Sequence, residues 1–170
     1  MPEPNRYLGK FRGTVAENID PMRLGRLRVR VPDVLGDTAS SWAMPCFPLS
    51  GPRMGHYAVP PVGAGVWVEF EQGDVSFPIW VGCWFGAATE VPPDAFTGPA
   101  DRPNIVVRTG AGHQILLCDL PGSSGIKLTA ASGAEIVIDD SGITLDNGHG
   151  ARVTLKGSTV DINDGALAIT

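Results

Sequence analysis

The residues that could do chemistry are few, and their spacing assigns most of them to strand faces and turns. Glu69 and Glu71 stand two apart, so both carboxylates lie on one strand face. A glycosidase pair needs two carboxyls facing each other across a cleft. No second acidic partner stands in a helix or loop context here, and the pair reads as a solvated strand face. Asp139-Asp140 and Asp146-Asn147-Gly148 have the residue types of calcium loops. Calcium-binding solenoids repeat Gly-Gly-x-Gly-x-Asp in every coil, whereas Lys156 takes the place of Asp139 in the next unit, so turn chemistry explains these residues better. Gly63-Ala-Gly65 and Gly110-Ala-Gly112 resemble phosphate loops but lack the following helix. Ser50, Ser123 or Ser124 could be combined with His113 or His149, yet no Gly-x-Ser-x-Gly elbow is present. Cys46, Cys83 and Cys118 share no metal-ligand spacing and read as reduced thiols, Cys46 and Cys83 as core thiols between aromatics and prolines. No catalytic, cofactor-binding or metal-binding residue is assigned, no cofactor is expected, and the chain is expected not to be an enzyme.

One cationic feature stands out. Arg26, Arg28 and Arg30 alternate with Leu27, Val29 and Val31 along Gly25-Arg-Leu-Arg-Val-Arg-Val-Pro, with Trp67, Trp80 and Trp84 later in the same half of the chain. Charge beside aromatic rings is the chemistry of a groove for single-stranded nucleic acid. Acidic residues outnumber basic ones in that half, and the whole chain carries a net charge of −5, so no basic field supports a general nucleic-acid or anionic-membrane binder. A protein-docking or solvated face is the better reading of the arginine row.

The element that organises the chain is a repeat. Ile136, Ile138, Ile143 and Leu145 recur 17 residues later as Val153, Leu155, Val160 and Ile162. The preceding unit, from Gly112-His-Gln-Ile-Leu-Leu-Cys-Asp, matches after an insertion around Leu120-Pro-Gly-Ser, which gives units 112–132, 133–149 and 150–165. Within a unit the apolar residues come as two alternating pairs, the period of a half-buried strand. The turns are spelled Asp-Asp-Ser-Gly, Asn-Gly-His-Gly, Lys-Gly-Ser-Thr and Asn-Asp-Gly. Each unit is thus two short strands that point Ile115, Leu117, Ile126, Leu128, Ile136, Ile138, Ile143, Leu145, Val153, Leu155, Val160 and Ile162 to one side, with Val137, Thr144, Thr154 and Asp161 on the other. Four aliphatics per unit fall short of the entropy cost of ordering it. Three chains wound about a common axis would close the strand edges and bury the rows, so an intertwined homotrimer is expected.

Composition agrees with an all-β chain: of 170 residues 43% are hydrophobic, and 22 Gly and 15 Pro supply many turns. The N-terminus lacks the apolar segment of a secretory signal and no run approaches a membrane span, so folding in a reducing cytoplasm is expected. Strands are expected at 7–15, 25–32, 66–71 and 77–84, with Gln72-Gly-Asp74 closing a hairpin between the last two. Leu27, Val29, Val31, Val66, Val68 and Phe70 should line the core. About five strands with long middle connections suit a small closed barrel of OB type over residues 1–86. Residues 87–104, with four prolines, read as a stiffened linker. Residues 105–170 form the repeat.

The segments Gly25-Arg-Leu-Arg-Val-Arg-Val-Pro, Trp42-Ala, Pro61-Val-Gly-Ala-Gly-Val-Trp-Val-Glu-Phe-Glu-Gln-Gly-Asp and Pro78-Ile-Trp-Val-Gly resemble the OB-fold domain of contractile-tail spike proteins. That family includes the phage baseplate assembly protein V and the valine–glycine repeat (VgrG-like) spike of type VI secretion. The resemblance covers Tyr7 to Gly86 by motif and the remainder by architecture. It implies an OB-fold barrel followed by a three-chain β-helix needle, acting as the structural central spike of an injection machine. It further implies a separate hub protein at the barrel end, for which Arg26, Arg28 and Arg30 are candidate contacts. At the other end it implies a conical Pro-Ala-Ala-Arg-repeat (PAAR-like) tip protein meeting Leu167, Ile169 and Thr170, where the fourth unit stops mid-pattern. The resemblance also implies only transient contact with the target membrane and an assembled particle that works outside its cell. Some relatives carry a lysozyme domain or a His-x-His iron site; here 87–104 is too short for the first, and His56, His113 and His149 are not paired for the second. Two other readings compete: an OB-fold nucleic-acid binder with an oligomerising tail, and a single-chain solenoid acting on carbohydrate.

Overall fold

A computed structural model describes residues 5–120 and 125–169, and the chain divides into two units, Met1–Ala88 and Thr89–Thr170. In the first unit, β1 (Phe11–Glu17), β2 (Arg28–Arg30), β3 (Met44–Pro45), the small hairpin β4 (Ser50–Gly51) and β5 (Met54–Gly55), β6 (Gly65–Phe70) and β7 (Pro78–Trp84) follow in order. Five of these make one sheet in the order β2-β1-β6-β7-β3, antiparallel throughout except that β3 runs parallel to β7. A reciprocal pair of backbone hydrogen bonds between Leu27 and Ala43, 3.1 and 2.7 Å, joins the start of β2 to the start of β3 and closes the ring. This closed five-stranded order is that of an OB-fold.

The barrel core is the alternate set of residues that the strand period selects. Leu27, Val29, Val31, Val66 and Val68 are fully buried, and Phe70 nearly so, together with Val15, Ala43 and Trp80. The first of the long middle connections begins as a one-turn helix α1 (Pro32–Leu35), with proline at its first position, where a missing N–H costs nothing. The thiols differ from expectation. Cys46 and Cys83 are exposed and Cys118 is half-buried, because each falls on the outward alternate of its strand or strand end.

In the second unit eight strands make one antiparallel sheet: β8 (Ile105–Arg108), β9 (Gln114–Cys118), β10 (Gly125–Thr129), β11 (Glu135–Asp139), β12 (Gly142–Asp146), β13 (Arg152–Lys156), β14 (Thr159–Ile162) and β15 (Leu167–Ile169). Each strand from β9 to β14 pairs with the one before and the one after it in sequence, and β8 and β15 border the sheet. Closure of the strand edges was expected from interwound partner chains. Here neighbouring strands of the same chain supply it, because turns of a few residues let each strand fold straight back on its predecessor. The insertion at Pro121–Ser124 lies outside the described residues.

Two glycines make the ladder possible at its tightest points. Gly125 and Gly142 both lie opposite Asp139, with φ of 152° and 142°; a Cβ on the first would overlap the Ile138 carbonyl oxygen, and on the second the Leu155 carbonyl oxygen. The Pro-rich segment is also folded rather than a plain spacer. It forms short 3-10 turns at Ala88–Glu90 and Pro93–Phe96, and the buried Asn104 donates through Nδ2 to the Asp94 carbonyl and to Thr97 Oγ1, both at 2.8 Å. The Asp94 carboxylate in turn accepts from Gln114 Nε2 at 2.8 Å and lies 3.6 Å from Arg108.

Gly142→Ala is expected to cost at least about 1–3 kcal/mol through backbone strain, read as a lowered thermal midpoint of the β signal in circular dichroism. An unchanged midpoint would mean that the β12–β13 approach is looser than described. The barrel gives a second test through Asp20, nearly buried, which accepts from the N–H groups of Met22, Leu24 and Arg26 and from the Arg26 guanidinium at 2.6 Å. The Arg26 side chain holds the Asp20 carboxyl well below the usual carboxylate range, and the three backbone donors add to it. A depressed folded-state pKa favours the native state fully above the ordinary carboxylate value of about 4, and that contribution fades as pH falls through the folded value. Asp20→Asn should therefore lower the urea midpoint at pH 7, followed by the fluorescence of the four tryptophans, all of them in this unit. The gap from the parent should narrow toward pH 3. A gap that is constant with pH would refute the linkage.

Candidate functional site

The side chains of the eight-stranded sheet sort into two rows on one face. Pairing places Val107, Ile115, Leu128, Ile136, Leu145, Val153, Ile162 and Leu167 in register as a first row. Ile105, Leu117, Ile126, Ile138, Ile143, Leu155, Val160 and Ile169 form a second, parallel row. All the residues assigned by sequence to an apolar row stand here on the same face. Ile105 and Val107 extend the rows by one strand and were missed, because half a unit after a Pro-rich stretch offers nothing to align with. The face is open in the single chain: Ile138 is 44% exposed, Ile143 37% and Ile105 65%.

The opposite face carries Leu116, Lys127, Val137, Thr144, Thr154 and Asp161 between the flanking polar residues. Lys127 pairs with Glu135 at 2.5 Å, and Arg152 with Asp146 at 2.7 Å. Exposed pairs of this kind stabilise little, and they mark a face that can meet water. The turns are set by side chains folding onto their own backbone. Asp139 Oδ1 accepts from the N–H and hydroxyl of Ser141 at 2.8 and 2.6 Å and from the Gly142 N–H at 3.2 Å, which holds its carboxyl below the usual range. Asp146 is held low chiefly by the Gly148 N–H, then by Arg152. Asn147 Oδ1 accepts from the N–H groups of His149 and Ala151 at 2.8 and 3.0 Å. Asp139, Asp146 and Asn147 are thus occupied as turn acceptors, and among the described residues no three His, Cys, Asp or Glu side chains gather to hold a metal.

The remaining chemical candidates are dispersed. Glu69 is paired with Lys10, and Glu71 begins the turn between β6 and β7. Gly63 and Gly112 serve turns, with φ of 89° and 98°, and Gly65 is packed beneath Trp84. Ser50 lies in a barrel hairpin, whereas His113 and His149 lie in turns of the repeat; Ser123 and Ser124 fall outside the described residues. His113 accepts the Ala131 N–H through Nδ1 at 3.3 Å.

The arginine row and the tryptophans are largely used by the fold. Arg26 was expected to be free for a partner. It is instead bound to Asp20 and lies over the Trp42 ring at 5.4 Å, since the loop from Asp20 to Arg26 curls back on its own carboxylate. Arg28 donates to the Ser40 carbonyl and lies 3.5 Å from Glu17, and Arg30 is exposed. Trp80 is buried, with its indole N–H on the Gly25 carbonyl at 3.0 Å. Trp67 and Trp84 hold the Arg12 guanidinium at 5.6 and 5.2 Å from their ring centres. Rings that already stack on a cation are poor platforms for nucleobases.

Two family matches coincide with these two units. Residues 11–85 match the type VI secretion system/phage-baseplate injector OB domain, and residues 104–168 match the phage baseplate V C-terminal trimerisation domain. Comparison with curated proteins gives no significant match. No helix among the described residues is long and apolar enough to cross a membrane. Barrel, open two-row sheet and tandem matches over most of the chain agree, and the chain belongs to the baseplate spike family, as a structural, homotrimer-forming component of a phage-tail or type VI baseplate particle.

Proposed function

We propose that the chain is the central spike of a contractile injection system, in which three copies turn their two-row faces inward to form a rigid needle. The observation that carries this reading is the open face itself. Two aliphatic rows cross all eight strands of the sheet and stay about two-fifths exposed on β9 to β12, and more so on the outer strands β8 and β15, while the strands of the sheet pair within the one chain. Contiguous apolar surface of that extent marks an interaction site. In this reading Ile115, Leu117, Ile126, Leu128, Ile136, Ile138, Ile143, Leu145, Val153, Leu155, Val160 and Ile162 meet at a dry axis, and the polar face meets solvent. The needle acts by stiffness and shape, without catalysis, and contacts the target membrane only in passing.

At the barrel end the proposed partner is a separate hub protein. Of the three arginines, Arg28 and Arg30 are placed to contribute charge, while Arg26 supports the barrel from within. At the other end, strand β15 borders the sheet and exposes Leu167 and Ile169 at 52% and 57%, which suits a tip protein that continues the stack; Thr170, assigned to the same contact, lies outside the described residues. Assembly in the cytoplasm and work outside the cell belong to the same proposal.

Ile138→Asp puts three carboxylates into a dry core, each costing several kcal/mol, and is expected to give single chains in sedimentation. Val137→Asp on the other face should leave the trimer intact. A stable trimer from Ile138→Asp, or equal loss from both, would overturn the axis assignment. For the ends, Arg30→Glu should weaken hub binding without changing the barrel's unfolding midpoint, Arg28→Glu should weaken it further while lowering that midpoint through its lost Ser40 and Glu17 contacts, and removal of residues 166–170 should abolish tip binding while the trimer survives. Undiminished binding in either experiment would move that interface elsewhere.

A further inference from the structure

The two rows of the apolar face are not equivalent. The first row, from Val107 to Ile162, forms the floor of an open trough of about 850 Å³ that spans β8 to β14. With strands about 4.8 Å apart, the trough is roughly 29 Å long. One wall is made by the turns at that edge of the sheet, where the small side chains of Ala130, Ala134 and Ala151 alternate with Thr109, His113, Asn147 and Asn163. No residue of the second row lines it. The second row borders a shorter hollow of about 360 Å³ at β9, β10 and β11. The face therefore has one half with a long walled trough and one half bordered by a shorter hollow.

A threefold assembly cannot pair like with like. Cyclic symmetry of order three is heterologous, so the surface each protomer gives to one neighbour differs from the surface it gives to the other. With the strands lying across the axis, one edge of each sheet must approach the opposite edge of the next. Resting on the trimer reading above, we infer that the second row of each protomer seats in the first-row trough of its neighbour, repeated three times around the axis. The occupant is a second copy of this chain. The trough spans β8 to β14, and those strands lie within residues 104–168, the extent of the trimerisation match. The row offered to it rises strand by strand at the same spacing. The alanines along the wall leave the room that the incoming Leu and Ile side chains need.

Disulfide mapping in the full chain, with Cys46, Cys83 and Cys118 replaced by Ser, tests this. Two forms distinguishable by tag length are co-expressed, one carrying Leu128→Cys in the first row and the other carrying Leu117→Cys, Ile126→Cys or Ile138→Cys in the second. These three span adjacent strands and so allow for stagger, since a disulfide needs Cα atoms within about 4.4–6.8 Å. Ile136→Cys replaces Leu128→Cys should the latter prevent assembly. After oxidation, at least one combination should give a dimer of mixed size, while each variant expressed alone should give none. Same-row dimers, or no mixed dimer from any combination in a sample whose mass is that of a trimer, would overturn the seating and leave the trimer reading standing. A parent chain that sediments as a monomer would overturn both.

Discussion

An eight-stranded sheet whose backbone is satisfied within one chain, but whose apolar face is not covered by that chain, is the constraint on which the rest depends. Hydrogen bonding along the meander leaves only β8 and β15 as outer strands. The aliphatic rows have no such internal solution, because a single twisted layer has nothing to pack against. Covering the remaining two-fifths of each aliphatic side chain contributes about 1 kcal/mol per position, and the gain repeats along every strand of every copy. Assembly by faces thus divides the work: the chain folds its own ladder, and association supplies the core.

The opposite face and the turns are consistent with that division. Ion pairs such as Arg152 with Asp146 and Lys127 with Glu135 keep the outer side wettable. Asp139, Asp146 and Asn147 spend their acceptors on local N–H groups, which makes the turns tight. In the barrel the polar groups with functional promise are likewise absorbed. Asp20 organises the loop that delivers Arg26 and Leu27 to the closing strand pair, and Arg12 lies over two neighbouring indoles. What the barrel presents to a partner is exposed charge such as Arg30 together with exposed apolar side chains such as Leu8, Ile19, Tyr57 and Phe77.

Much of this was legible from period two alone. Ile136 and Ile138 flanking Val137, repeated as Val153 and Leu155 flanking Thr154, specify face and register together, since a one-residue slip would reverse every side chain. The same alternation identified Leu27, Val29, Val31, Val66, Val68 and Phe70 as barrel core. Alternation carries no information on who supplies the hydrogen bonds, so strand edges that one chain closes looked like edges awaiting partners. It also failed where a side chain bends out of its row. Arg26 sits in the outward series with Arg28 and Arg30, yet a carboxylate six residues earlier draws it in, and only the curl of the intervening loop brings the two together. The Pro-rich stretch concealed its structure for a related reason: Asn104, Asp94 and Thr97 make an aperiodic hydrogen-bonded cluster. The asymmetry between the two rows was not legible at all, because it arises from how the alanine-bearing turns stand over one edge of the sheet.

The central claim is that the open face is covered in solution by two further copies of the same chain. Native mass spectrometry of the purified 17.9 kDa chain tests it most directly, with a dominant species of three chains, about 54 kDa, as the expected result. A single-chain species that persists at micromolar concentration, with the face left open to water, would contradict the account.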